Sequence, residues 1–212
     1  MYIVKKIIDF VMDVLETITF VGSIFIVIYL FIMQPNQVKG SSMEPGLTNG
    51  DYIFTSKITY KFRPIERGDI IVFKAPPPTS PDIEYIKRVV GLPGDRVMIK
   101  NSNVYVNDIL LNEAYIYAKT NVIQDGFLKE GEEYTVPSDK LIVFGDNRPR
   151  SSDSREFGAI RISTIIGQVF YRYFPFNKIG SITDPFPSNL RTDSRQKYNL
   201  YLTRLNKLHY SS

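Results

Sequence analysis

From Thr17 to Met33 the chain reads TITFVGSIFIVIYLFIM, an uncharged run rich in Ile, Phe and Val. That is near the lower limit of what crosses a bilayer as a helix. Lys5 and Lys6 precede the run, as do Asp9, Asp13 and Glu16, and MQPNQVKG follows it without an A-x-A cleavage pattern. The late start, the acids and the missing cleavage pattern favour an uncleaved signal anchor over a cleaved secretory signal. Gln34 and Pro35 are expected to end the helix, because proline lacks the next backbone donor and restricts the residue before it. The paired lysines predict a cytoplasmic N-terminus with the rest of the chain outside, although Lys39 on the far flank weakens the asymmetry.

Beyond the anchor the period changes. Short runs rich in Val, Ile, Tyr and Phe alternate with Gly, Pro, Asn and Asp: DYIFTSK (51–57), DIIVFKA (69–75), IEYIKRVV (83–90), DRVMIK (95–100), NVYVN (103–107), KLIVFG (140–145) and IIGQVFYRYF (165–174). These predict a mainly β, mostly antiparallel sheet or barrel, with a hairpin around 101–103. No long amphipathic helix separates them, which argues against βαβ units. PPPTSP (76–81) reads as a stiff surface loop. The polar tail, 181–212, carries one helical pattern, YNLYLTRLNKLHY, with Tyr201, Leu205 and Leu208 on one face. The expected organisation is an anchor segment at 1–35, a β domain at 36–180 and the tail.

Composition narrows the chemistry. The 212 residues are 43% hydrophobic and carry a formal charge of +4, with Lys and Arg scattered among acids rather than massed. Nucleic-acid binding needs several phosphates met together and is not expected. There is no cysteine, which removes thiol nucleophiles, disulfides and Cys-based zinc sites. The single histidine, His209, lies three residues from the end, so neither Ser-His-Asp chemistry nor a multi-His metal site is expected, and no cofactor is called for. The 14 Tyr and 14 Phe are expected mostly in the core, with some forming an apolar surface against the bilayer.

GSSMEPGL (40–47) places two adjacent serines just past the anchor. If either is a nucleophile, its proton must go to something other than histidine. A lysine serves if it is kept neutral, which means lowering its pKa from about 10.4 toward roughly 8, some 3 kcal/mol of disfavoured charge. Lys87 sits in the apolar strand IEYIKRVV, on the same face as Tyr85 and Val89, while Arg88 points with Ile86 and Val90. Only the lysine can lose a proton there, since arginine stays charged. The competing reading is an edge-strand lysine reaching out to water. A third segment, FGDNRPRSSDSREFG (144–158), is crowded with polar residues directly after a strand. If 151–155 is extended, Ser151, Asp153 and Arg155 share one side and Asp153 can pair with Arg155.

Together, in this order and behind an anchor, GSSMEPGL, RGDIIVFKAP (67–76), YIKRVVGLPGD (85–95) and the 144–158 segment resemble bacterial type I signal peptidases. The resemblance implies Ser42 as nucleophile, Lys87 as general base and Ser151 as the serine that hydrogen-bonds the lysine. It implies Asp146, Asp153 and Arg155 as the charged set bracing the loop, and Met43, Pro45 and Tyr85 beside the substrate. It further implies a mostly β catalytic domain with a small inserted lobe, here at 95–140. Some members carry a serine two positions before the nucleophile as an oxyanion donor; this chain has Gly40 there, so the Ser42 N–H remains one donor, and the Gly40 main chain or a side chain elsewhere is the candidate for the second. The implied substrates are exported precursors cut after small residues in an A-x-A-like pattern, met at the membrane. A Ser/Lys protease maturing another target, or cleaving itself, and a non-catalytic anchored β domain that binds peptides are the alternatives.

Overall fold

The computed structural model describes residues 2–77 and 82–182. Most of the PPPTSP loop, and the tail pattern with His209, lie outside the described residues.

The first helix, α1 (Tyr2–Val27), runs on through a π-helical turn at Ile28–Ile32. It begins well before Thr17 because Asp9, Asp13, Glu16 and the lysines do not interrupt a helix. Within the apolar stretch, Thr17, Thr19 and Ser23 donate their hydroxyls to the carbonyls of Asp13, Leu15 and Thr19, so they leave no unmet polar group. None of its side chains is buried. Among the described residues it is the one helix long and apolar enough to cross a membrane.

The helix stops at Ile32, but Gln34 and Pro35 do more than end it. Met33–Gln37 is a strand, β1, paired along its whole length with β2 (Tyr52–Ser56). Local pattern hid it, because MQPNQ is poor in strand formers. It is tolerated at the end of the sheet, where a proline need not donate to a ladder. The seven predicted runs all form strands. They are β2, β3 (Ile70–Lys74), β4 (Glu84–Gly91), β5 (Arg96–Lys100), β6 (Asn103–Val106), β9 (Lys140–Phe144) and β11 (Ile165–Phe174). Short strands β7 (Ile109–Leu110), β8 (Glu133–Thr135), β10 (Ile160–Arg161) and β12 (Gly180–Ser181) complete the set. Two one-turn helices, α2 (Thr59–Phe62) and α3 (Ser154–Phe157), lie between strands.

The larger sheet runs β1-β2-β11-β3-β4-β9-β10, with β12 added on β11, and the smaller runs β7-β6-β5-β8. The named strand pairs are antiparallel. The β5–β6 hairpin turns through Asn101 and Ser102, both at positive φ, the geometry of a two-residue turn that matches strand twist.

Strand β3 explains where the core sits. Its alternate residues enter two different clusters. Ile70 and Val72 pack with Val38, Met43, Leu47, Ile53 and Val169, while Ile71 and Phe73 pack with Val89, Leu141, Val143 and Ile160. A continuous apolar run is what a strand covered on both faces requires. The smaller sheet forms a third cluster that includes Val90, Ile142 and Phe144 from the larger one. Strand β4 therefore lies inside the sheet, and from Lys87 to Gly91 its residues are buried.

Candidate active site

Three segments meet at the middle of β4. The first is the loop after β1. Gly40 has φ +92, a conformation a serine there would adopt only under strain. Its N–H donates to Asn49 Oδ1 at 2.9 Å. That donor is engaged, so the candidate role of Gly40 as the second oxyanion donor has no support in this geometry. Ser42 follows, half-buried, and Met43 is buried in the cluster beneath. The loop is pinned from across the chain: Asn147 donates its backbone N–H to the Ser42 carbonyl (3.0 Å) and its side-chain amide to the Ser41 carbonyl (3.0 Å). Pro45, after a cis peptide bond, is exposed and stands apart from the cleft described below, unlike Met43 and Tyr85.

The second segment is β4 itself. Lys87 is 4% exposed, so the edge-strand reading fails. Its Nζ donates to Ser42 Oγ at 2.9 Å and to the Ile86 carbonyl at 3.2 Å, and lies 5.2 Å from the centre of the Tyr85 ring. Burial lowers its pKa from 10.5 to about 8, against the opposing pull of the Asp153 and Asp146 carboxylates. Desolvation wins because the ammonium has no carboxylate in contact with it and little water around it. Its neighbour Arg88 is 4% exposed as well, but it remains charged. It donates to both carboxylate oxygens of Asp146 at 2.8 and 2.6 Å, gives a further bond to the Gly68 carbonyl, and lies over the Tyr115 ring. Two adjacent cations thus meet opposite fates, one kept charged by a bidentate carboxylate partner and one driven toward the uncharged amine.

The third segment follows β9. Residues 151–155 are not extended throughout: Ser151 and Asp153 are, but α3 begins at Ser154, with Asp153 as its N-cap accepting the Arg155 N–H. The Asp153–Arg155 pair forms all the same, through two bonds of 2.8 Å, and Asp153 also accepts the Gly145 N–H at 3.0 Å. Both side chains are buried. Ser151 Oγ is buried without a hydrogen-bond partner, so the expected bond from Ser151 to Lys87 is not made. Gly145 holds these groups together by having no side chain. A Cβ there would stand 2.2 Å from Ser151 Oγ and 2.5 Å from the Ser42 carbonyl.

A cleft of about 900 Å³ runs past Ser42 and Lys87, between 35–43 on one wall and 82–87 on the other. Its two walls are strand edges. Glu84–Lys87 pair with β3 on one side, whereas β9 takes up β4 only from Arg88 onward, and β1 ends its sheet. Val38, Met43 and Ile86 line the cleft, and Asn36 donates across it to Glu84 at 3.1 Å.

Asn147, Arg88 and Arg148 are the residues whose parts the local reading missed. Arg148 is buried and donates to the Gly145 carbonyl and to Glu113 beside the smaller sheet. The available signal was a second cation beside Lys87 in an apolar strand, which demands a buried carboxylate from elsewhere in the chain.

The family model described as signal peptidase, peptidase S26, matches residues 11–174. The chain belongs to this family. A signal peptidase I of Bacillus caldolyticus is 41% identical over 70% of this chain and 84% of its own length. A signal peptidase IB of Staphylococcus aureus is 32% identical over 78% and 92%. A crystal structure of a signal peptidase I from Enterococcus faecalis covers 50% of this chain and 97% of that chain at 30% identity, with a TM-score of 0.39. As a peptidase of this family the chain is a serine protease, and its apolar N-terminal helix fits a membrane-anchored member.

Proposed function

We propose that this chain removes N-terminal signal peptides from exported precursors, with Ser42 as nucleophile and Lys87 as general base. The observation that carries the reading is the buried amine 2.9 Å from the Ser42 hydroxyl. In its neutral form Lys87 Nζ turns its lone pair to the hydroxyl and takes the proton as Oγ attacks the scissile carbonyl. The resulting ammonium gives that proton to the departing amine, leaving an ester on Ser42. Water, deprotonated by the same amine, then hydrolyses the ester and restores both groups. Asp153, Arg155 and Asp146 hold the loop that presses on the Ser42 carbonyl, and Ser151 stands beside it.

The substrate lies extended between the two open strand edges, pairing its backbone with them. Val38, Met43 and Ile86 crowd the floor beside Ser42, which favours small side chains next to the cut. The catalytic domain sits on the extracytoplasmic side, with Lys5 and Lys6 holding the N-terminus in the cytoplasm. The partners are precursors and the bilayer rather than nucleic acid, and the chemistry of the Ser/Lys pair requires no metal.

Purified protein incubated with a secretory precursor should release the mature chain after an A-x-A-like motif, and Ser42→Ala should release none while keeping its fold. Equal processing by Ser42→Ala would overturn the reading. Cleavage of the chain itself with no cutting of the precursor would favour the self-cleaving alternative.

A further inference from the structure

The anchor and the catalytic domain are joined without a linker: the helical turn ends at Ile32 and β1 begins at Met33. A helix ends with backbone carbonyls that have no partner inside it. Here Lys57, the residue after β2, meets them. Its backbone N–H donates to the Ile32 carbonyl at 2.8 Å, and its Nζ donates to the carbonyls of Tyr29 (3.1 Å) and Leu30 (3.4 Å). Its Nζ also lies 5.4 Å from the centre of the Tyr29 ring. A cation at a helix C-terminus interacts favourably with the aligned peptide dipoles. Since β1 and β2 are paired from Met33↔Ser56 to Gln37↔Tyr52, Lys57 closes a triangle of helix end, β1 and β2.

We infer that Lys57 is a positioning residue for the reaction. By holding the helix end against β2, it sets the angle between anchor and sheet, and so the distance of Ser42 from the membrane. This rests on the proposed function, in which the precursor's signal helix is itself in the bilayer. The lever can be sized. β1 is five residues long, which at about 3.3 Å per residue makes an arm of roughly 17 Å. Membrane helices tilt by about 20°. A swing of that size about Met33 carries the cleft by about 6 Å, close to two residues of extended substrate. Loosening the clamp therefore alters which of two neighbouring bonds reaches Ser42 in a membrane-held precursor, and leaves a freely diffusing peptide unaffected.

The experiment uses full-length protein in phospholipid vesicles and a precursor carrying two overlapping A-x-A sites two residues apart. Lys57→Met is expected to change the ratio of the two products severalfold, and Lys57→Arg, which keeps the cation, to restore it. With a soluble peptide in detergent all three proteins should show kcat/KM within about twofold, which also reports that Lys57→Met is folded. An unchanged product ratio in Lys57→Met, or equal loss on peptide and precursor, overturns the inference. Failure of the wild-type protein to cut the precursor at all would instead defeat the proposed function.

Discussion

Replacing Lys87 by methionine separates a buried base from a buried structural lysine. Burial moves the Lys87 pKa from 10.5 to about 8, and each unit corresponds to about 1.36 kcal/mol, so the buried ammonium is disfavoured by about 3 kcal/mol. In terms of chemistry, about one Lys87 in ten is neutral at pH 7, roughly 300 times the fraction of an ordinary lysine. For wild type, kcat/KM on a soluble peptide should rise about tenfold from pH 6 to 7, bend near 8 and level off above it. Lys87→Met should lose activity by about 10² to 10⁴ or more, and Lys87→Arg should not recover it, because arginine does not deprotonate.

Stability should move the other way. Below pH 8 both folded and unfolded chains hold the proton, and the fold bears the whole cost of the buried charge. Between 8 and 10.5 the folded chain deprotonates first, so that cost fades as pH rises. Lys87→Met escapes it. Allowing about 1 kcal/mol for the lost contact with Ser42, the variant should be more stable than wild type by about 2 kcal/mol at pH 7, with the gap closing just below pH 10 and reversing to about 1 kcal/mol less stable by pH 10.5. Urea unfolding at several pH values measures this. A flat pH–rate profile between 7 and 9, or a Lys87→Met variant destabilised equally at every pH, would refute the reasoning.

Two further changes test the loop behind the pair. Gly145→Ala places a methyl 2.2 Å from Ser151 Oγ and 2.5 Å from the Ser42 carbonyl. It should cost about 1–3 kcal/mol in urea unfolding and lower kcat more than it raises KM on a soluble peptide. Asp153→Asn removes a carboxylate that raises the Lys87 pKa while the opposing Arg155 charge stays, so the bend in the pH–rate profile should move below 8. Breaking this buried pair should also cost about 3–5 kcal/mol of stability, and a bend at or above 8 would contradict the electrostatic account.

The positions of the main strands were legible because each is a short Val/Ile/Tyr/Phe run between turn residues, and a period of two needs only a few neighbours to declare itself. Asp153 and Arg155 could be paired from spacing, although the helix cap that brings them together could not. MQPNQ was invisible as a strand, since it owes its form to its pairing with β2 rather than to its own side chains. Asn147 looked like one more turn residue until the fold laid it against the serine loop.

By itself the sequence determined the long apolar N-terminal segment, the mainly β body, the absence of any thiol, and the order of segments that places a serine, a lysine and a polar loop in one family. That Lys87 is buried against Ser42 was decided only in three dimensions. A proton affinity belongs to the surroundings of a group, and those surroundings come from β4 lying central in its sheet, Ser42 arriving from 45 residues away and Asp146 claiming Arg88 from 58 away. A local pattern states which way a side chain points along its own strand, but not what the rest of the chain brings to meet it.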